Sequence, residues 1–138
     1  MKKRTRAREF TLQILYQIDV SHLPQQEAVH NFWESYSEEN VAEEIKTFSS
    51  ELVAGVRENL EAIDKKIIQY ATNWRLERMA FVDRNILRLG SYELMFREDI
   101  PPKVSINEAV ELAKKFSGPE AGKFVNGILD KIKLEVKK

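Results

Sequence analysis

The stretch VDRNILRLGSYELMF, residues 82–96, is the most apolar part of the chain and decides its fold. Apolar side chains nearly encircle a helix of this length, which indicates a central helix packed on several sides. These side chains are Ile86, Leu87, Leu89, Leu94, Met95 and Phe96. The DIPP segment that ends at Pro102 then predicts an extended link.

The segments before this helix also show helical periodicity. A first helix is predicted from about Thr5 to Val20 and a second over Gln25 to about Ser35. Ser37 is a predicted N-cap, with Glu38 and Glu39 in the following turn, and the pattern then predicts two helices that meet near Asn59. The predicted core face of the first helix is Ala7, Phe10, Thr11, Ile14, Leu15 and Ile18, whereas Leu12 and Tyr16 are expected to point away from it.

Two more helices are predicted after the central one. The sequence Ser105-Ile-Asn-Glu108 has the pattern of a capping box that opens a helix, and Ser117-Gly118 is expected to close it. Pro119 suits the first position of a last helix, whose predicted buried face is Val125, Ile128, Leu129 and Ile132. No period-two run long enough for a sheet is present. We therefore predict an all-α fold of about seven helices in two packed groups, in a single domain 1–138 with subdomains of roughly 1–76 and 77–138.

The composition excludes several classes of protein. Hydrophobic residues make up 43% of the 138 residues, which is enough to fold. The chain has no cysteine and two histidines, so we expect no disulfide, no metal site and no catalytic residues. No apolar run approaches the ~20 residues that span a membrane, and we expect a cytoplasmic protein without a cofactor.

The formal net charge of zero hides two opposed regions. Residues 25–51 are strongly acidic, whereas residues 2–8 carry five basic side chains and no acid: Lys2, Lys3, Arg4, Arg6 and Arg8. Such a basic run on a rigid helix, followed by Gln13 and Tyr16, is typical of binding to single-stranded RNA. The alternative interpretation is a basic end that only increases solubility.

The last helix carries a second candidate RNA-binding segment. Lys123, Phe124, Asn126 and Lys131 lie off its predicted apolar stripe, and Gly127 leaves room for close approach of a ligand. A lysine and an asparagine beside an aromatic ring can hold a phosphate and a base edge. Alternatively, Phe124 fills the edge of the core.

Four segments together resemble the NusB family of bacterial transcription antitermination factors. They are RTRAREFTLQILY (4–16), VDRNILRLGSYEL (82–94), PKVSINEAVELAK (102–114) and KFVNGILDK (123–131). The resemblance runs over essentially the whole length, and the acidic region 25–51 matches least.

The resemblance implies a specific fold and function. The fold would be two three-helix bundles plus an extra helix. The protein would bind boxA RNA of ribosomal RNA leader transcripts together with NusE, a ribosomal protein of the small subunit, and act on RNA polymerase with other Nus factors without any cofactor.

The resemblance also assigns site residues. The arginine-rich RNA-binding segment of the family falls on residues 2–8, although Thr5 stands where some relatives carry another basic residue. The second RNA-binding segment falls on Glu120, Lys123, Phe124 and Asn126. The surface that faces NusE falls near Tyr16 and Asp83, and the assignment of Asp83 depends on the resemblance alone.

Two other functions remain open at the level of sequence. The first is the RNA-binding accessory domain of an RNA cytosine methyltransferase, which shares this fold; we expect the chain not to be such a fragment because it begins with Met and has a polar end. The second is a helical protein–protein adaptor that docks through the acidic region. Exposure of Leu12 and Tyr16 would favour a homodimer of the free protein.

Overall fold

The computed structural model describes residues 2–36 and 41–136, which form seven α-helices and one short 3₁₀ turn and contain no strand. The prediction of an all-α fold is therefore confirmed. The expected N-cap at Ser37 and the acids Glu38 and Glu39 lie outside the described residues. The helices are α1 (Lys3–Ser21), α2 (Gln25–Ser35), α3 (Glu43–Glu58), α4 (Leu60–Tyr70), α5 (Phe81–Phe96), α6 (Pro102–Phe116) and α7 (Pro119–Lys133), with the 3₁₀ turn at Leu76–Arg78 between α4 and α5.

Helix α5 lies at the centre of the molecule, as its sequence predicts. It packs against α1, α3, α4, α6 and α7, and its residues from Asn85 to Leu94 are buried without a break. Its contact with α3 is especially close, because a Cβ atom added to Gly55 would lie only 2.1 Å from the ring of Tyr92. Glycine at this position therefore allows the two helices to approach.

Helix α1 buries a wider arc than the sequence predicts. All six residues of the predicted core face are buried, but so is Leu12, which is only 3% exposed. The prediction that Leu12 points away from the core is wrong, because α1 packs against α2, α3 and α5 and is thus covered on several sides. Leu12 therefore offers no apolar surface for self-association.

The packing divides the helices into α1–α3 and α4–α7, although the buried side chains form one continuous core. Helix α4 follows α3 directly at Asn59, as predicted, but packs mainly against α5 and α7. It thus contacts the helices after it more than those before it.

The start of α6 differs from its prediction. The helix begins at Pro102, and Ser105 is buried within it instead of capping its end. The Ser105 hydroxyl donates a hydrogen bond of 2.9 Å to Oε1 of Glu93 on α5. The proline already provides a favourable first helical position, so the capping-box pattern is not used. By contrast, Gly118 has a φ of 138° and Pro119 opens α7, as predicted.

A polar network joins α1 to α4 and α5. Arg84 donates two hydrogen bonds, of 2.7 and 2.6 Å, to the carboxylate of Asp19, and Asn85 donates a third of 2.8 Å. Arg88 bridges Asp19 and Asp64 at 3.2 and 2.8 Å. Burial by itself raises the pKa of Asp19, but the hydrogen bonds from Arg84 and Asn85 outweigh it, so this pKa lies below its ordinary value of 3.8.

Candidate nucleic-acid interface

The exposed part of the basic N-terminal run comprises Lys2, Lys3 and Arg4 at the start of α1. Lys3 forms an ion pair with Glu44 of α3, and Arg4 lies 3.8 Å from the carboxylate of Asp99. Both pairs are at least half exposed, and such pairs contribute little to stability. These cations can therefore exchange their acidic partners for phosphates at little cost.

Arg6 lies at the edge of an aromatic cluster between α1 and α2. Its Nη2 donates a hydrogen bond of 3.3 Å to the hydroxyl of Tyr36, and its guanidinium lies 5.2 Å from the ring centroid of Phe10. The side chain is half-buried. Its orientation is thus held by neighbouring aromatic rings while one part stays accessible.

Arg8, by contrast, is an interior residue with 2% of its surface exposed. It donates two hydrogen bonds, of 2.8 and 2.9 Å, to the carboxylate of Glu93, and its Nη1 lies 3.1 Å from Glu108. Its guanidinium therefore holds α1 to α5 and α6 and cannot reach a phosphate in the folded protein. The structure thus buries Arg8, which the sequence assigns to the RNA-binding run, because two acids distant in sequence bind its side chain.

Side chains of α1 reach those of α6. Lys115 of α6 forms an ion pair of 2.8 Å with Glu9, and one turn further along α1 the side chain of Gln13 is exposed. Tyr16 is half-buried, with its ring edge-on to that of Phe81 at 6.2 Å. Gln13 and Tyr16 thus lie on the surface, as expected.

A groove of about 750 Å³ lies between the start of α7 and the segment that joins α4 to α5. Lys123 and Phe124 of α7 line it, together with Trp74 and Arg78 of the joining segment. Phe124 is half-buried against the core, and its ring is edge-on to that of Trp74 at a centroid distance of 5.7 Å. One part of the ring therefore packs on the core and another faces the groove.

The remaining predicted residues of this region divide between the groove and the open surface. Glu120 lines the groove and lies 3.6 Å from Lys123 in an exposed pair. Asn126 and Lys131 are exposed but do not line the groove. Between them, a Cβ added to Gly127 would meet no atom within 4 Å, so this face of α7 is open.

Asp83 also lines this groove, in the first turn of α5. Its side chain is partly exposed, although Oδ1 is buried and has no hydrogen-bond partner among the residues that the structure describes. An acid is electrostatically favourable at a helix N-terminus. Phe81, in the same turn of α5, contacts the ring of Tyr16.

Two groove residues, Trp74 and Arg78, were not identified as candidate site residues from the sequence. Trp74 is 60% exposed, which is unusual for so large an apolar side chain. Arg78 is exposed, and its guanidinium has no hydrogen-bond or ion-pair partner within residues 2–36 and 41–136. The segment NWRLER (73–78) could have indicated them, because its tryptophan lies outside any long apolar pattern, directly before Arg75 and four residues before Arg78.

The described part of the chain contains no cluster of three or more histidine, cysteine or acidic side chains arranged to bind a metal ion. Within the same residues, no helix combines the length and the hydropathy that crossing a membrane requires.

Comparison with known proteins gives consistent matches over nearly the whole chain. The sequence model of the NusB family matches residues 5–133. The transcription antitermination protein NusB of Bacillus subtilis is 48% identical, over 99% of this chain and 98% of its own. The protein of the same name from Thermodesulfovibrio yellowstonii is 46% identical, over 96% of this chain and 93% of its own.

Solved structures share the arrangement of the helices. NusB of T. maritima superposes with a TM-score of 0.87 and 37% identity, over 98% of this chain and 93% of that one. A chain from a crystal structure of the antitermination factors NusB and NusE in complex with double-stranded RNA has a TM-score of 0.86 and 30% identity, with 98% of each chain covered.

Proposed function

Since the chain belongs to the NusB family, we propose that it is a transcription antitermination factor that binds RNA together with a NusE-type ribosomal protein. Its RNA would be the boxA element of ribosomal RNA leader transcripts, bound as a single strand. It would act on RNA polymerase indirectly, with other Nus factors, as a binding protein rather than an enzyme.

The observation that carries the RNA-binding proposal is the groove beside α7. A lysine and a partly accessible aromatic ring lie together at Lys123 and Phe124, on a helix whose outer face is open at Gly127. This combination suits a phosphate and an unstacked base. Asn126 and Lys131, on the open face of the same helix, would extend the contact.

The N-terminal run would supply the electrostatic part of RNA binding. Lys2, Lys3 and Arg4 are exposed, and Arg6 and Gln13 follow along α1 towards α6. Positive charges that replace condensed counterions give an affinity that decreases as salt increases. Arg8 is left out of this surface because its side chain is bound in the interior.

The partner protein would dock beside the groove, on Tyr16 and Asp83. Tyr16 and Phe81 form an accessible aromatic pair, and the acid at Asp83 suits a basic ribosomal protein. Asp83 also lines the groove. RNA in the groove and a partner on this patch would therefore touch, which explains why each should strengthen the binding of the other. The same patch, without Leu12, would be the contact in any homodimer of the free protein.

Fluorescence anisotropy of a short boxA-like RNA, with and without NusE, tests this function. A scrambled RNA and two salt concentrations serve as controls. We expect preference for boxA, strengthened by NusE and weakened by salt. Equal binding of both RNAs regardless of NusE would mean that the site is only a basic patch without sequence preference. No binding in any condition would overturn the proposal.

Variants of the groove sharpen the test. Phe124→Ala should cost about 1–3 kcal/mol of RNA binding if a base stacks on this ring. Leu134→Ala is the matched control, because Leu134 is 85% exposed and does not line the groove. Within α7, Lys131→Ala should weaken binding more than Lys133→Ala. Equal affinities of Phe124→Ala and Leu134→Ala would remove Phe124 from the site.

A further inference from the structure

Trp74 is the most exposed aromatic side chain near the groove, yet its position is fixed. Its backbone N–H donates a hydrogen bond of 3.0 Å to the carbonyl of Ala71, just after α4. On the other side, the short 3₁₀ turn begins only two residues later, at Leu76, whose side chain is buried in the core. The indole therefore stands on a short segment that is anchored at both ends.

The indole and the ring of Phe124 form a corner at one side of the groove. Their planes meet at 69° with centroids 5.7 Å apart, so the two rings touch edge to face rather than face to face. At this angle one indole face stays uncovered by Phe124. With 60% of Trp74 exposed, that surface is large enough to carry a flat ligand.

The charges beside this corner fit a nucleotide better than an apolar protein segment. Arg78 has no partner in the described residues, and Lys123 is held only by an exposed pair of 3.6 Å with Glu120. Two available cations flank two aromatic rings, which is the combination used by sites for single-stranded nucleic acid. The volume of about 750 Å³ lies within the range of pockets that accept small molecules of nucleotide size.

From this geometry we propose that Trp74 is a base-stacking residue and Arg78 a phosphate contact, so that one unstacked nucleotide of the bound RNA lies on the uncovered indole face, in the corner that Trp74 forms with Phe124. The inference deepens the proposed RNA-binding function and depends on it. In the site that the sequence placed on α7 alone, Trp74 would be a second stacking surface beside Phe124. Arg78 would be a third cation beside Lys123 and Lys131.

The chain itself supplies a direct reporter, because it has only two tryptophans, Trp33 and Trp74. Trp33 lies in the cluster between α1 and α2, with its ring 5.2 Å from Phe10. In the Trp33→Phe variant all tryptophan emission comes from Trp74, and titration with the boxA-like RNA should quench it. In the Trp74→Phe variant the emission comes from Trp33, which lies in another part of the molecule, and should change much less. Constant emission of Trp33→Phe at saturating RNA would overturn the stacking of Trp74.

Affinity measurements give a second, independent test. Trp74→Ala should lower RNA affinity about 5- to 150-fold, Trp74→Phe much less, and Leu134→Ala not at all. Because Trp74 is mostly exposed, thermal unfolding of Trp74→Ala should match that of the unaltered protein, which checks that the fold is intact. Arg78→Ala should reduce the slope of log affinity against log salt by about 0.7, the value for one phosphate on a single strand.

The outcomes separate this inference from the function on which it depends. If the unaltered protein binds RNA and Trp74→Ala binds it equally well, the groove is not a nucleotide site but the function stands. If Trp74→Ala weakens NusE binding while RNA affinity in the absence of NusE is unchanged, the occupant is protein and the inference fails. If the unaltered protein binds no RNA in any condition, the proposed function and the inference fail together.

Discussion

The N-terminal end of α1 and the groove beside α7 differ in what the fold does with their positive charges. Along α1, Lys3 and Arg4 pair with surface acids and Arg8 is bound in the interior by Glu93 and Glu108. The groove is lined by fewer basic side chains, Arg78 and Lys123, but Arg78 has no partner in the described part of the chain. The number of basic residues in a segment therefore does not measure how many can bind a ligand. That number depends on the acids that other helices bring to them.

The largest effect expected from this comparison is on stability. Arg8→Ala removes a guanidinium that forms a buried ion pair with Glu93 and should lower the free energy of unfolding by about 3–5 kcal/mol. Urea denaturation followed by circular dichroism measures this change. Lys3→Ala, a basic residue of the same run, should have almost no effect. Similar stabilities of the two variants would contradict the division of the run into interior and surface parts.

A smaller loss of stability, with a pH dependence, is expected at Asp19. Asp19→Asn removes the charge that receives hydrogen bonds from Arg84 and Arg88 and should cost about 1.5–3 kcal/mol at neutral pH. Because the folded-state pKa of Asp19 lies below 3.8, its contribution is complete above that pH and is lost as the pH falls towards the folded-state value. Urea titrations at several pH values should therefore show the difference from the unaltered protein shrinking below about pH 4. A difference independent of pH would show that the charge of Asp19 is not its cause.

The exposed part of the run should affect RNA binding rather than stability. Replacing Lys2, Lys3 and Arg4 together by alanine should reduce the salt slope of RNA affinity by about 2, since each phosphate on a single strand contributes about 0.7. The melting temperature should change little because all three side chains are exposed. An unchanged salt slope would place the RNA elsewhere, and the groove would then carry the electrostatic contribution alone.

The smallest effect is expected at the acid that competes for Lys3. Glu44→Gln breaks the exposed pair and should change stability by less than about 1 kcal/mol. Because Lys3 would then be available to a phosphate, RNA affinity at low salt should rise slightly. Glu61→Gln, at another exposed acid, is the control. A decrease in affinity on Glu44→Gln would show that the pair positions Lys3 for RNA instead of competing with it.

Much of the fold was predictable because helical periodicity is a local property. The junction at Asn59, the proline that opens α7 and the buried face of that helix all follow from residues close in sequence. The failures come from contacts between distant segments. Leu12 is buried because α1 is covered on several sides, and Ser105 bonds to Glu93 instead of capping α6.

The candidate site was predictable to a similar degree. Residue types alone placed Lys123 and Phe124 on a non-core face of the last helix, and both line the groove. Trp74 could not be connected to them because 50 residues separate it from Phe124 and no period links the two positions. Their pairing depends on the packing of α4 against α5 and α7, after which the chain segment that follows α4 brings Trp74 to Phe124 near the start of α7.

The sequence by itself determined that this protein is helical, where most of its helices begin and end, and which segments carry basic and aromatic side chains. These features follow from side-chain periodicity and from the conformational preferences of proline and glycine, which act over a few residues. Only the tertiary structure decided that Arg8 belongs to the interior, that Arg78 stays available and that Trp74 faces Phe124. Burial and ion pairing depend on which atoms meet in space, and in this fold the deciding partners lie up to 100 residues apart.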